Sequence, residues 1–135
     1  MIENECFNYL NLLKELIIPE NGISIGEKCF GNCSSLSFIY LSPLLQTIGN
    51  WNFYKCDSLE EIIIPENVII IGMNCFNECL KLSSIEFLNE NIFIDEHCFE
   101  NCLLLKRDGI IHYFDDYNQL DYLNYNDFDI RVGYN

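Results

Sequence analysis

The sequence predicts an α/β solenoid: a parallel ladder of short strands, with short helices or turns on the opposite side of each coil. Three columns of residues carry this expectation. The pair Cys75-Phe76 returns as Cys6-Phe7, Cys29-Phe30 and Cys98-Phe99, and as Asn52-Phe53, always at a spacing of 23 residues. Ile2, Ile25, Ile48, Ile71 and Ile94 form a second column of that period, and Leu13, Leu36, Leu59, Leu82 and Leu105 a third. A unit this short cannot bury its own apolar face, so neighbouring units must stack into one continuous core.

The fullest copy runs Leu59-x-x-Ile62-x-Ile64-x-x-Asn67 and then Ile71-Gly72-x-x-Cys75-Phe76-x-x-Cys79-x-x-Leu82. Its first half has the spacing of a leucine-rich repeat, in which a strand feeds an asparagine that bonds to neighbouring backbone. Its second half resembles the BspA-type subclass of that family, with cysteine where the family usually carries alanine before the phenylalanine. The resemblance covers roughly residues 2 to 105. It implies a leucine-rich-repeat fold and a protein-binding role, including surface attachment where a signal and an anchor are present. Because such a family is defined by its scaffold, the resemblance says more about fold than about function.

Along the chain, residues 2 to 10 supply the second half of a repeat whose strand is missing, with Glu3, Asn4, Glu5, Asn8 and Asn11 as the polar residues able to cap it. Leu13-x-x-Leu16-x-Ile18 is the first strand, ended by Pro19, which cannot donate to a ladder, and by the turn pair Asn21-Gly22. Later strands are expected near 39–41, 62–64 and 85–87. Leu44 stands where Asn67 stands in the third strand's copy, so that coil should turn slightly differently; Glu90 departs from the pattern as well, although Asn89 and Asn91 flank it. Cys75, Phe76 and Cys79 share one face of a short helix or turn and should point inward. Gly26, Gly49 and Gly72 precede that segment and are expected to supply the backbone conformation that begins it, with Asp95 in their place in the fifth copy.

The expected organisation is a repeat array over 1–105, about five coils with the first one partial, and a degenerate cap over 106–135. Asp108 breaks the strand column, and Ile110-Ile111-His112-Tyr113-Phe114 reads as a strand before a Tyr- and Asp-rich segment. Half of the 135 residues are hydrophobic, which excludes a disordered chain. The formal charge of −14 repels phosphate backbones, so nucleic acid is not an expected partner. No apolar run is long enough to span a membrane. If Met1 is the true start, no signal peptide precedes the repeats, and the cytoplasm or another reducing compartment is the expected address.

Eight cysteines raise the question of disulfides or zinc. They fall into two columns, Cys6, Cys29, Cys75 and Cys98 in one and Cys33, Cys56, Cys79 and Cys102 in the other. Asn52 and Leu10 interrupt these columns, so pairing within coils would strand Cys56 and Cys6. Partners four apart on a helical turn have Cβ atoms about 5 to 6 Å apart, beyond the roughly 3.5 to 4.5 Å of a disulfide. Free, buried thiols serving as small hydrophobes are expected, with no metal and no cofactor. His97 occupies a variable surface position and His112 an apolar segment, and no nucleophile is tied to either by a local motif. Asp115-Asp116-Tyr117-Asn118-Gln119-Leu120-Asp121 lacks the glycine and terminal glutamate of a calcium loop. No catalytic residue is assigned.

Alternation along the strands sends Leu16/Ile18, Ile39/Leu41, Ile62/Ile64 and Ile85/Phe87 inward, and the residues between and before them face the open side, Lys14, Ser37, Glu60 and Ser83 outermost and two further columns beside them. These read Ile17, Tyr40, Ile63, Glu86 and Glu15, Phe38, Glu61, Ser84. An apolar strip rimmed by carboxylates marks an interface. The expected partner-binding residues are therefore Glu15, Ile17, Phe38, Tyr40, Glu61, Ile63 and Glu86, on a non-catalytic scaffold for a protein partner with a basic apolar surface. Two other readings are a fragment of a longer surface adhesin of the same repeat family and a thiol- or metal-binding protein. The open N-terminal coil also allows edge-mediated homodimerisation.

Overall fold

A computed structural model describes residues 1–89, 91–106 and 110–112. Each coil has three sides. One side carries β1 (Glu15–Ile17), β3 (Phe38–Tyr40), β5 (Glu61–Ile64), β7 (Ser84–Phe87) and β9 (Ile110–His112). A second side carries the two-residue strands β2 (Ser24–Ile25), β4 (Thr47–Ile48), β6 (Ile70–Ile71) and β8 (Phe93–Ile94). Among the described residues all strand pairings are parallel, and successive partners such as Ile62 and Ile85, or Ile48 and Ile71, stand one period apart. That is the expected ladder in the expected register, since same-direction strands joined by whole coils can pair only in parallel. β9 pairs with β7 through Ile85 and Ile110, a spacing of 25 residues.

The second sheet was not anticipated as strands. Its inward residues are the isoleucine column: Ile25, Ile48, Ile71 and Ile94 are all buried. Strands of two residues are too short to show an alternation. On the first side, Ile39, Leu41, Ile62, Ile64, Ile85 and Phe87 are buried as expected, while Leu16 is only partly covered.

Of the short helices or turns expected on the third side, the described residues form turns: none is helical, and the Cys-Phe segments are chains of turns. Two residues per coil take a left-handed conformation, for example Trp51 at φ 58° and Lys55 at φ 57°. This directs the N–H groups of Trp51, Phe53 and Lys55 out of their own coil to the carbonyls of Met73, Cys75 and Asn77, at 2.9, 2.8 and 3.0 Å. A helix would have spent those donors inside the coil. Each left-handed residue costs about 1–2 kcal/mol. Three inter-coil hydrogen bonds at about 1 kcal/mol each offset that cost. The stacked rings add to them: Phe7, Phe30, Phe53, Phe76 and Phe99 form a continuous pile with centroids 5.3–5.6 Å apart, each pair contributing about 0.5–1.5 kcal/mol.

The glycines that begin these segments also act differently from the expectation, because none has a positive φ. Gly49 is required by close approach: a Cβ there would lie 2.6 Å from the carbonyl oxygen of Gly26. The N–H groups that follow need acceptors as well. Asn4 Oδ1 accepts from Glu27 N and Asn50 Oδ1 from Met73 N, both at 2.8 Å. In the fifth copy Asp95 replaces glycine, and its own Oδ1 accepts from Glu96 N at 2.7 Å. No described helix is long and apolar enough to cross a membrane.

Candidate functional site

The described strands of the first side divide into two sheets, β1-β3 and β5-β7-β9. β3 and β5 are neighbours without ladder hydrogen bonds between them. At this split lies a groove of about 500 Å³ whose walls include Phe38 and Tyr40 from one strand and Glu61 and Ile63 from the other. Period-two alternation turns these side chains outward. Phe38, Tyr40 and Ile63 are 49%, 43% and 54% exposed. Glu86 and Glu66 line the same groove, which gives it an apolar floor and an acidic rim.

Five of the seven expected residues, Phe38, Tyr40, Glu61, Ile63 and Glu86, thus come together. Glu15 and Ile17 do not line the groove. They sit on the adjoining β1, where Ile17 is 67% exposed, and extend the apolar strip beyond it. Glu66 and Leu88 were missed. Both follow the ends of strands, outside the alternating positions that mark an outward face in the sequence.

The coil-to-coil turns after the strands differ as their sequences suggested. Asn67 Nδ2 donates to the Pro43 carbonyl at 2.7 Å, the role expected of the repeat asparagine. In the copy with Leu44, Ser42 takes over by donating its hydroxyl to the Glu20 carbonyl at 2.9 Å. In the copy with Glu90, which lies outside the described residues, Asn89 Nδ2 reaches the Val68 carbonyl at 2.8 Å.

All eight cysteines are free, and seven are buried. Cys6 corrects the expectation that all are buried: it stands in the first coil and is exposed. The thiols also do more than fill space. Cys56, Cys79 and Cys102 donate to the carbonyls of Phe30, Phe53 and Phe76 in the coil before, at 3.2, 3.0 and 3.0 Å. Burial pushes the thiols of Cys56, Cys79 and Cys98 well above their ordinary pKa, with neighbouring column cysteines adding to the effect. Thiols held neutral in this way are poor nucleophiles and poor metal ligands. Asn52 replaces cysteine in its column, and its Nδ2 likewise donates to a carbonyl of the preceding coil, that of Gly26. Its Oδ1 is buried without a partner among the described residues.

His97 is exposed, as expected, with Nδ1 3.2 Å from the Glu100 carboxylate. His112 lies on β9 opposite Phe87. No group of three or more His, Cys, Asp or Glu among the described residues converges to hold a metal ion. The acidic run from Asp115 lies outside the described residues.

Comparison with known proteins places this geometry in context. The sequence model of the family described as BspA type leucine rich repeat region matches residues 1–123, in six copies. No curated protein matches the chain. Among solved structures, a leucine-rich repeat protein of T. pallidum superposes with a TM-score of 0.74 at 26% identity, over 78% of this chain and 49% of that one. A leucine-rich repeat protein from Bacteroides ovatus gives a TM-score of 0.73 at 28% identity, over 83% of this chain and 29% of that one. The chain therefore spans about half of the first solved relative and under a third of the second.

Proposed function

We propose, from the premise that this chain belongs to the BspA-type leucine-rich repeat family, that it is a non-catalytic scaffold whose protein partner docks on the strand side. The observation that carries this reading is the acidic-rimmed groove at the split between β3 and β5. Phe38, Tyr40 and Ile63 supply apolar anchors in a form that strand propensity alone does not require, because they converge on one concave site. Glu61, Glu66 and Glu86 favour a partner in which apolar residues are flanked by Lys or Arg. The free thiols support a reducing compartment as its address.

Selection from a random-peptide display library tests the reading. Enriched peptides are expected to combine apolar residues with Lys or Arg, and to lose binding when Phe38, Tyr40 and Ile63 are replaced together by serine. Since these side chains point away from the core, the triple variant should keep the native circular dichroism spectrum. Peptides that bind the folded triple variant as well as the parent would place the interface elsewhere.

A further inference from the structure

The turn side carries a second cavity that shares no residue with the strand-side groove. It arises where the repeat is broken three times in one place. At the position after the column phenylalanine stand Asn8, Gly31, Tyr54, Asn77 and Glu100, so Gly31 alone lacks a side chain. Backbone conformation does not demand glycine there, because its φ is not positive. Nor does close packing of main chain: the nearest atom to a Cβ at Gly31 would be Asn8 Oδ1, at 2.8 Å, the end of a side chain. Asn8 Oδ1 takes up the space of the missing Cβ, and Gly31 lines a notch of about 490 Å³ beside it, a volume within the range of small-molecule sites.

The second break is Trp51. It holds the left-handed position, φ 58°, that Glu5, Lys28, Asn74 and His97 hold in the other coils. A bulky side chain is disfavoured in that conformation, and such backbone strain concentrates at functional sites. The third break is Tyr54, whose ring meets the Trp51 ring edge-on at 82° with centroids 5.0 Å apart. Together they make two walls of a corner. Tyr54 is braced from behind, with Lys55 Nζ 5.2 Å from its ring centroid and Glu78 3.6 Å from that ammonium. Tyr9 lines the opposite side of the notch.

Polar groups complete the site. Asn8 Oδ1 is buried against Gly31 and has no hydrogen-bond partner among the described residues; a turn of the Asn8 side chain into the notch would present it to a ligand donor. Glu5, Lys28 and Asn32 lie at the mouth. Glu5 and Lys28 cancel, so this notch is locally neutral on a chain of formal charge −14. The Lys28 ammonium also disfavours a cation between the aromatic rings.

We infer that this notch binds one neutral pyranose unit of a glycan. The apolar C–H face of the sugar would lie on the Trp51 and Tyr54 rings, whose large rigid surfaces are immobilised at low entropic cost. A sugar hydroxyl would donate to Asn8 Oδ1, and others would accept from Lys28 and Asn32 or donate to Glu5. This goes beyond the scaffold reading and stands or falls independently of it.

Trp51 is the single tryptophan of the chain, so its emission reports the site directly. The full chain is titrated with neutral mono- and trisaccharides of the hexose and N-acetylhexosamine types, and with tetramethylammonium as a cation control. The expected result is a saturable emission change with at least one saccharide at about millimolar Kd or tighter, and none with tetramethylammonium. Gly31→Asn, which refills the notch with the side chain that Asn8 and Asn77 supply in other coils, should abolish the change while keeping Trp51. Tyr9→Ala, at a position 67% exposed, leaves the core untouched and should weaken binding about three- to tenfold. The inference is overturned if no saccharide in the set produces a change, or if tetramethylammonium saturates the signal. It is equally overturned if folded Gly31→Asn, or Tyr9→Ala where Gly31→Asn does not fold, responds as the parent does.

Discussion

The thiol of Cys79 donates to the backbone carbonyl of Phe53, 26 residues earlier, across 3.0 Å. That carbonyl already accepts the N–H of Cys56 at 3.2 Å, so the thiol engages its second lone pair. Cys79→Ala removes the bond and leaves a small void, and should destabilise by about 1–3 kcal/mol. Urea unfolding monitored by circular dichroism measures this. A change below about 0.5 kcal/mol, typical of an inert surface position, would show that the thiol contributes nothing at its site.

Asn52 is the converse case. Its Nδ2 donates to the Gly26 carbonyl, as Cys29 Sγ in the same column donates to the Glu3 carbonyl, but its Oδ1 is buried without a partner among the described residues. Asn52→Cys restores the column residue, removes the unpaired oxygen, and should stabilise the fold by about 1–3 kcal/mol. The same urea experiment reads it, and an unchanged or lowered midpoint contradicts it.

The buried thiols also set an upper pH limit. Cys56, Cys79 and Cys98 have folded pKa values raised by burial above their ordinary 9.0. A group raised in this way stabilises the fold fully below its unfolded pKa. The contribution then shrinks as pH climbs past that value toward the folded pKa, because only the unfolded thiol ionises in this window. Stability should fall above pH 9 by about 1.4 kcal/mol per pH unit for each such thiol. Unfolding free energies measured on both sides of pH 9 test the slope, which should be shallower in Cys79→Ala.

Reactivity should separate one cysteine from the rest. Cys6 is exposed and seven others are buried. A maleimide pulse on the native protein should modify Cys6 rapidly and the remainder only after denaturation, as read by intact-mass spectrometry. Rapid uptake of several labels in native buffer would contradict the packing described.

Glycine substitutions should divide by what lies opposite. Gly49→Ala drives a Cβ to within 2.6 Å of the Gly26 carbonyl oxygen, which belongs to backbone and cannot swing aside. Overpacking of this kind costs about 1–3 kcal/mol. Gly31→Ala meets only the end of the Asn8 side chain and should be tolerated within about 0.5 kcal/mol. Thermal melts of the two variants side by side provide the comparison.

The period of 23 residues made the strand-side ladder and its register legible before any coordinates, and alternation placed Phe38, Tyr40 and Ile63 outside. The turn side was not legible in the same way. Inward phases at Cys75, Phe76 and Cys79 suit a helix and a chain of turns equally, and what decides between them is whether the N–H of Phe76 looks along its own coil or across to Cys98. Nothing in a single repeat reveals that choice. The split between β3 and β5 was equally hidden, since Ile39 and Ile62 keep perfect phase across it. Gly31 and Trp51 were visible as breaks in their columns, but their convergence depends on the turn geometry that the repeat pattern left open.

The phenylalanine pile has an implication for how such arrays change in length. Phe53 stacks on Phe30 below and Phe76 above, at 5.6 and 5.3 Å, so the stack has no centre and no preferred number of rings. Excising or duplicating a whole coil would hand each ring an equivalent neighbour and leave the interior indifferent. The two surface sites are not indifferent, because each straddles neighbouring coils. A coil inserted between Phe38 and Ile63 would pull the groove apart, and it would also part Gly31 from Tyr54, while the core closed without a scar. Length and recognition are thus separately heritable in this architecture: copying errors in whole repeats preserve the fold and reset what the surface can bind.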